Sequence, residues 1–171
     1  HSASNTLYSG DRAGSRYYDV MENTGSSETT NAWSGAIQPG LSDAITATVI
    51  NPFVKFHGLE VFGNIERAKG RKGTEVSDRT WNQLAGDAVY RFGPAEQLWV
   101  GARYNTVNGK LALTDPKETV TRSQASAGWF ITPALMLKGE YVNQKYDGFL
   151  KTDIRNGGKF NGFMAEGVVA F

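Results

Sequence analysis

The chain has 171 residues, of which 40% are hydrophobic, and it carries a formal net charge of +1 with 20 glycines and no cysteine. This length usually corresponds to one domain, and the near-neutral charge argues against a dedicated nucleic-acid binder. A mean hydropathy of -0.40, with no apolar run approaching about 20 residues, excludes a membrane protein built from helices. It leaves a membrane β-barrel open, because only every second residue of a barrel strand is apolar.

Residues 1–40 are rich in Ser, Thr, Asn and Gly, and they show no alternation except around Thr30 to Ile37. This composition predicts a long loop that holds at most one short strand. Its arginines and tyrosines either bind a ligand or pack within a solvated loop. The first residues contain no basic region followed by an apolar core. We therefore expect that a signal peptide has been removed or that the chain starts part-way through a gene product.

Alternation of apolar and polar residues begins between 41 and 50, which predicts a strand. Asn51 and Pro52 then predict a tight turn. Proline lacks the N–H group of the ladder, and it disfavours a helical conformation at the residue before it.

A change of phase follows in the next segment. Val54 and Phe56 share one parity, whereas the apolar positions from Leu59 onward have the other. One inserted residue at His57 or Gly58 would produce this change, so the pattern predicts a β-bulge there. His57 has no second histidine nearby and the chain has no cysteine, so no metal site is expected.

The clearest strands follow a polar, glycine-rich loop that is predicted from 68 to 78. Alternation predicts four strands at 80–92, 98–105, 122–131 and 135–144, and a final strand of about ten residues that ends at Phe171. The turns at 93–96 and 132–134 are short, whereas the loops at 107–118 and 146–159 are long. Short turns therefore alternate with long loops along this part of the chain.

Each predicted strand has one apolar face, and aromatic residues lie near the short turns, at Tyr90, Phe92, Trp129 and Phe171. This layout is typical of a transmembrane β-barrel, with short periplasmic turns, long external loops and an aromatic girdle. A soluble barrel also alternates, but its apolar face points inward and its loops need no such asymmetry. A sandwich edge strand could also end in phenylalanine.

The predicted fold is all-β, an antiparallel transmembrane β-barrel formed by residues 41–171 after an extracellular loop region at 1–40. The sequence yields about seven strands, whereas bacterial single-chain barrels have an even number. Either the first forty residues contain an eighth strand, or the chain is the C-terminal part of a larger barrel.

Strand parity places seven charged side chains on the inward face, where they would line a lumen and contact solutes. They are Asp87, Arg91, Arg103, Arg122, Lys138, Glu140 and Glu166. Pairing across the predicted loops puts Arg103 opposite Arg122 and Lys138 near Glu166, the latter as a wall salt bridge. Two neighbouring arginines repel each other unless an anion or carboxylate lies between them. The alternative is that Asp87 neutralises Arg103 in a ladder along the wall.

Enzyme motifs are absent from the sequence. It has no Gly-x-Ser-x-Gly run, no histidine pair at metal spacing and no glycine-rich phosphate loop. A barrel enzyme would need His57 beside a nucleophile, and nothing in the sequence orders such a pair. We therefore expect no catalytic residues, no metal and no cofactor.

Several segments carry a resemblance to a known family: 51–63, 88–93, 98–105, 128–130 and the final strand. Together they resemble the C-terminal half of the phosphate-selective porin O and P family, over roughly residues 45 to 171. The resemblance implies a channel of about sixteen strands for anions or other small solutes, usually trimeric, in the outer membrane of a Gram-negative bacterium. This chain is too short for such a barrel, so the resemblance predicts a partial sequence.

The resemblance also implies partners. They are the lipid bilayer, small solutes or anions, other copies in a homotrimer and the barrel-assembly machinery. That machinery would read the closing strand through Phe163, Val169 and Phe171. The family's selectivity depends on basic residues of an inward-folded loop, and no residue of this chain matches them, so phosphate specificity is not carried over.

The predicted function is passive diffusion of small solutes, including anions, through a porin. The alternative is a small eight-stranded structural or adhesive barrel whose lumen is plugged by side chains. Gly101, Ser126 and Gly128 would leave the barrel wall thin, which favours the channel. A soluble β-domain is the third possibility.

Overall fold

A computed structural model describes residues 12–13 and 33–170. This part of the chain forms one antiparallel sheet, so the all-β prediction is confirmed. The strands are β1 Ala44–Ile50, β2 Phe53–Phe56, β3 Leu59–Arg71, β4 Arg79–Phe92, β5 Leu98–Gly109, β6 Glu118–Thr132, β7 Leu135–Asp147 and β8 Lys159–Val169. Among the described residues, no helix has the length and apolar character needed to cross a membrane.

The strand order is β1-β3-β4-β5-β6-β7-β8, and β2 also pairs with β3. The described sheet is therefore open, with β1 and β2 along one edge and β8 along the other. Short connections at 57–58, 93–97 and 133–134 lie at one end of the sheet, and longer loops at 72–78, 110–117 and 148–158 lie at the other. The predicted alternation of short turns and long loops is confirmed.

The tight turn predicted at Asn51 and Pro52 is wrong. β1 and β2 pair with β3 in one continuous register, in which Ile50 lies opposite Ile65 and Phe53 lies opposite Phe62. The Pro52 carbonyl accepts a hydrogen bond of 2.8 Å from the backbone N–H of residue 63. Proline removes one hydrogen bond from the ladder, which interrupts the strand without reversing it.

The β-bulge predicted at His57 and Gly58 is also wrong, because these two residues form the turn of a hairpin. Phe56 lies directly opposite Leu59 across this turn. In a two-residue hairpin the flanking residues point to the same face, so parity changes across the turn. His57 has a φ of 49°, in the left-handed region.

The other strands are longer than predicted, because alternation continues past the apolar residues into polar ones. β3 reaches Arg71, β5 reaches Gly109, β6 begins at Glu118 and β7 ends at Asp147. These segments had been predicted as loop. An unpredicted register shift also occurs between residues 130 and 132, next to a short connection.

The two faces of the sheet differ in character. The first, which we call the bare face, carries large apolar side chains in the open, with Tyr90 52%, Trp129 48% and Phe163 74% exposed. The second, which we call the covered face, carries the seven predicted lumen residues and is overlaid near the long loops by residues 33–41, which we call the strap. The buried core lies between strap and sheet: Ala13, Ile37, Leu41, Ala68, Trp81, Val107, Val120, Tyr146 and Phe149.

Of the predicted loop at 1–40, the structure describes residues 12–13 and 33–40, and these pack on the covered face. The strand predicted around 30–37 falls partly outside the described residues. Phe171, the last residue of the predicted closing strand, also lies outside them.

Candidate functional site

The register brings all seven predicted lumen residues to the covered face. They fall into two groups. Arg122 is completely buried beneath the strap. The other six lie in the half of the sheet nearer the short turns and keep contact with solvent.

The exposed group forms cross-strand ion pairs. Arg103 lies directly opposite Asp87, and its Nε is 3.3 Å from the Asp87 carboxylate. Lys138 lies opposite Glu166, with 2.7 Å between Nζ and Oε2. The predicted Lys138–Glu166 pairing is confirmed, and of the two alternatives for Arg103 the structure has the ladder with Asp87.

Further pairs extend this row of charges, which we call the charge ladder. The Glu60 carboxylate is 2.8 Å from Lys55 Nζ and 3.6 Å from Arg91 Nε. Glu140 accepts a hydrogen bond of 2.8 Å from the side chain of residue 124. The ladder therefore holds the four acidic residues Glu60, Asp87, Glu140 and Glu166 and the four basic residues Lys55, Arg91, Arg103 and Lys138.

The predicted pairing of Arg103 with Arg122 is wrong. Arg103 lies opposite Gln124, and Arg122 lies opposite Asn105. The loop between β5 and β6 was predicted at 107–118, whereas β5 ends at Gly109 and β6 begins at Glu118. The centre of the loop therefore lies one residue later than predicted, which changes the residues that pair across it. The two arginines therefore do not form the predicted anion site, and Arg122 binds the strap instead.

Three side chains of the covered face converge on Ser34 in the strap. Arg122 donates hydrogen bonds to the Ser34 hydroxyl and, at 2.5 Å, to the side-chain oxygen of Gln144. The Ser34 carbonyl accepts hydrogen bonds from the Gln144 amide and, at 2.7 Å, from the Tyr146 hydroxyl. This convergence satisfies the buried guanidinium and fixes the strap to β6 and β7.

Arg79 is a second anchor, and its guanidinium is buried where the strap meets two loops. It donates hydrogen bonds of 2.8 Å to the Pro39 carbonyl and 2.7 Å to the Lys110 carbonyl. Its Nε lies 2.8 Å from the Glu75 carboxylate. Arg79 thus ties the strap to the loops at 72–78 and 110–117.

The N-terminal described residues add a third attachment. Arg12 forms a salt bridge of 3.0 Å with buried Glu66 on β3. The Arg12 carbonyl accepts a hydrogen bond of 3.2 Å from the Asn105 side chain on β5. The strap and residues 12–13 therefore fill the covered face at its long-loop end.

Sequence reasoning placed Gln144 on the polar face of a strand without giving it a role, and it missed Arg79 and Tyr146 as residues of this site. Arg79 continues the covered-face parity of Trp81, and Tyr146 continues that of Gln144 and Val142. The predicted strands stopped short of these positions, so their parity was not followed to the end.

The expectation of a thin wall at Gly128 is wrong. The Trp99 indole lies over Gly128, so that a Cβ at this position would overlap its ring. A Cβ on Gly101 would lie 3.0 Å from the Ser126 hydroxyl. The absence of a side chain on Gly128 makes room for tryptophan instead of opening the wall.

The loop at 148–158 is folded onto the core. Phe149 is buried against Tyr146, with ring centroids 6.1 Å apart, and the Arg155 guanidinium lies 4.5 Å from the Phe149 ring. Arg155 also donates two side-chain hydrogen bonds, of 2.9 and 2.7 Å, to the Asp153 carboxylate. These hydrogen bonds hold the pKa of Asp153 below its usual value.

Phe163 and Val169 of the predicted closing strand lie on the bare face, 74% and 63% exposed. Among the described residues, no three histidine, aspartate or glutamate side chains are grouped so as to hold a metal ion. Comparisons of the chain with protein-family models, curated proteins and solved structures found no match.

Proposed function

We propose that this chain forms part of the wall of an outer-membrane porin, through which small solutes, including anions, diffuse passively. The observation that carries the proposal is the distribution of polarity over the sheet. Most of the exposed large apolar side chains lie on the bare face, whereas ion pairs line the other. A sheet in water buries its apolar face, and an exposed patch of this extent marks a surface that meets an apolar partner. A lipid bilayer is that partner in the proposal.

The dimensions of the apolar band support this partner. On β4 the exposed alternate residues run from Leu84 to Phe92, a distance of about 27 Å at ~3.4 Å per residue. A strand tilted by about 40° would project this length as about 20 Å, near the ~25 Å apolar band of outer-membrane barrels. Tyr90 and Phe92, whose rings stack 6.1 Å apart near a short turn, suit the interfacial aromatic girdle.

The charge ladder supports a water-filled interior. Its side chains stay partly exposed, with Arg103 at 41% and Glu166 at 38%. This exposure is what we expect of side chains that line a water-filled pore. Because acidic and basic groups balance four to four, we propose weak selectivity between anions and cations. The balanced charges of the ladder do not support a phosphate-selective filter.

The remaining parts of the proposal rest on the resemblance to the phosphate-selective porin O and P family. They are a larger barrel to which these strands contribute, a homotrimer and a location in the outer membrane of a Gram-negative bacterium. Recognition of the last strand by the barrel-assembly machinery belongs to the same proposal.

The strap favours a second candidate, a structural or adhesive barrel without an open pore. Buried Arg79 and Arg122 hold the strap across the covered face near the long loops. Conductance across a planar bilayer separates the two candidates. A porin gives stable conductance steps after insertion, whereas inserted protein that stays silent would favour the structural barrel.

A matched pair of lysine substitutions tests the bilayer itself. Ala125 lies on the bare face in register with Ala88, the middle of the apolar run on β4, and its neighbour Ser126 lies on the covered face opposite Glu140. We expect Ala125→Lys to destabilise the protein in lipid vesicles by about 2–4 kcal/mol, the cost of a lysine at the bilayer midplane. Ser126→Lys should be tolerated, because its ammonium can approach the Glu140 carboxylate.

Stability in both cases is measured by denaturant unfolding in vesicles, with insertion checked by flotation. Equal tolerance of the two lysines, together with recovery of the protein from the aqueous fraction, would contradict the membrane proposal. The reason is that an exposed alanine on a soluble sheet accepts lysine readily.

A further inference from the structure

A gradient of polarity runs along β7 and β8 on the bare face towards the long loops. Three cross-strand pairs form it: Tyr141 with Phe163, Asn143 with Asn161, and Lys145 with Lys159. Each step advances two residues, or about 6.8 Å. The lysine pair therefore stands about 14 Å along the strands beyond the aromatic pair.

The lysine pair is unusual in its charge. Lys145 and Lys159 lie directly opposite each other and both are exposed. Like charges in this arrangement destabilise a sheet. Within residues 12–13 and 33–170 neither lysine forms an ion pair, although Lys55, Lys69 and Lys138 do. The nearest carboxylate on this face of β7 is that of Asp147, two residues further on, and it pairs with neither lysine.

We propose that Lys145 and Lys159 bind the phosphate groups of anionic lipids in the bilayer leaflet next to the long loops. This inference rests on the proposed function, since it needs the bare face to lie in a bilayer. The aromatic pair then lies in the apolar layer, the asparagine pair at the interface and the lysine pair among the headgroups. A phosphate between the two ammonium groups relieves their repulsion and accepts hydrogen bonds from both.

The position of the pair favours a lipid over a solute in transit. Both lysines point away from the covered face, which carries the charge ladder and would line the lumen. A phosphate diffusing through the barrel would not reach them. A second copy of the chain that presented the same surface would bring two more lysines to the site, which the charge opposes.

The test compares the full chain in bilayers of phosphatidylcholine with and without phosphatidic acid. Lipids that stay bound after detergent extraction are identified by native mass spectrometry. Wild-type protein should retain phosphatidic acid in preference to phosphatidylcholine. The double variant Lys145→Gln/Lys159→Gln should lose up to about 30-fold of this preference, since each lysine near an anionic surface contributes about 1 kcal/mol. The preference of the wild type should also fall with added salt.

The control is Lys117→Gln/Lys151→Gln, which removes the same charge from two exposed loop lysines. It should keep the preference for phosphatidic acid. An equal loss in the control, or displacement of the lipid by an equal concentration of inorganic phosphate, overturns the proposed lipid site. Insertion into both bilayers without any headgroup preference overturns this inference and leaves the proposed function standing. Failure to insert into either bilayer overturns both.

Discussion

Two glycines of the covered face accommodate tryptophan rings from neighbouring strands. The Trp81 indole lies over Gly109 and the Trp99 indole over Gly128, so that a Cβ on either glycine would overlap ring atoms. Trp81 is 1% exposed, and its Nε1 donates a hydrogen bond of 3.1 Å to the Lys110 carbonyl. The ring is therefore fixed by packing and by its polar atom, and it has little freedom to move aside.

Substitution of Gly109 by alanine should therefore destabilise the protein. Overpacking of a filled core costs about 1–3 kcal/mol, and displacement of Trp81 also weakens its hydrogen bond. Gly86→Ala is the control, because a Cβ there meets no atom within 4 Å, and it should leave stability unchanged or raise it slightly. The measurement is the free energy of unfolding by urea in vesicles. Similar values for the two variants would show that Trp81 relaxes freely.

At the scale of elements, the packing of the strap on the sheet could not be predicted from the sequence, whereas the faces of the strands could. The period of two along the strands predicted which residues share a face, and it placed Lys138 beside Glu166 correctly. The contacts of Ser34 with Arg122 and Gln144 join residues 88 and 110 positions apart. Such contacts leave no trace in local periodicity, since a backbone carbonyl accepts hydrogen bonds whatever its side chain.

The position of the first hairpin was predicted incorrectly for a different physical reason. Proline is the stronger local signal for a turn, so the sequence predicts the chain reversal at Pro52 and not at His57 and Gly58. The structure shows that an edge strand tolerates the missing hydrogen bond of Pro52, because β1 and β2 remain paired with β3 on both sides of it.

Loss of one anchor should loosen the strap without unfolding the sheet. Tyr146→Phe removes the hydrogen bond from the hydroxyl to the Ser34 carbonyl, while the Gln144 amide still donates to that carbonyl. The expected cost is about 1 kcal/mol, or roughly fivefold faster hydrogen exchange at the amides of residues 33–41. Tyr141→Phe on the bare face of the same strand is the control. Equal protection of the strap in both variants would mean that Tyr146 contributes nothing to holding it.

At the scale of the whole molecule, the balance of the charge ladder determines what the proposed pore would conduct. Each basic side chain of the ladder contacts an acidic partner, so the wall presents little net field to a passing ion. Removal of one basic group should therefore have a visible effect on ion selectivity. Arg103 is the best position for this change, because it is 41% exposed and lies beside the Asp87 carboxylate.

Arg103→Glu changes the ladder by two negative charges and places two carboxylates opposite each other. If the covered face lines the lumen, the reversal potential in a KCl gradient should shift towards that of potassium, with a several-fold rise in the ratio of cation to anion permeability. Arg67→Glu is the matched control, since it makes the same change of charge at an exposed position of the bare face. An equal shift in the control would show that the effect comes from overall charge. An unchanged reversal potential in Arg103→Glu channels would mean that ions do not pass along the covered face, because a charge inside the permeation path must alter the field that ions cross.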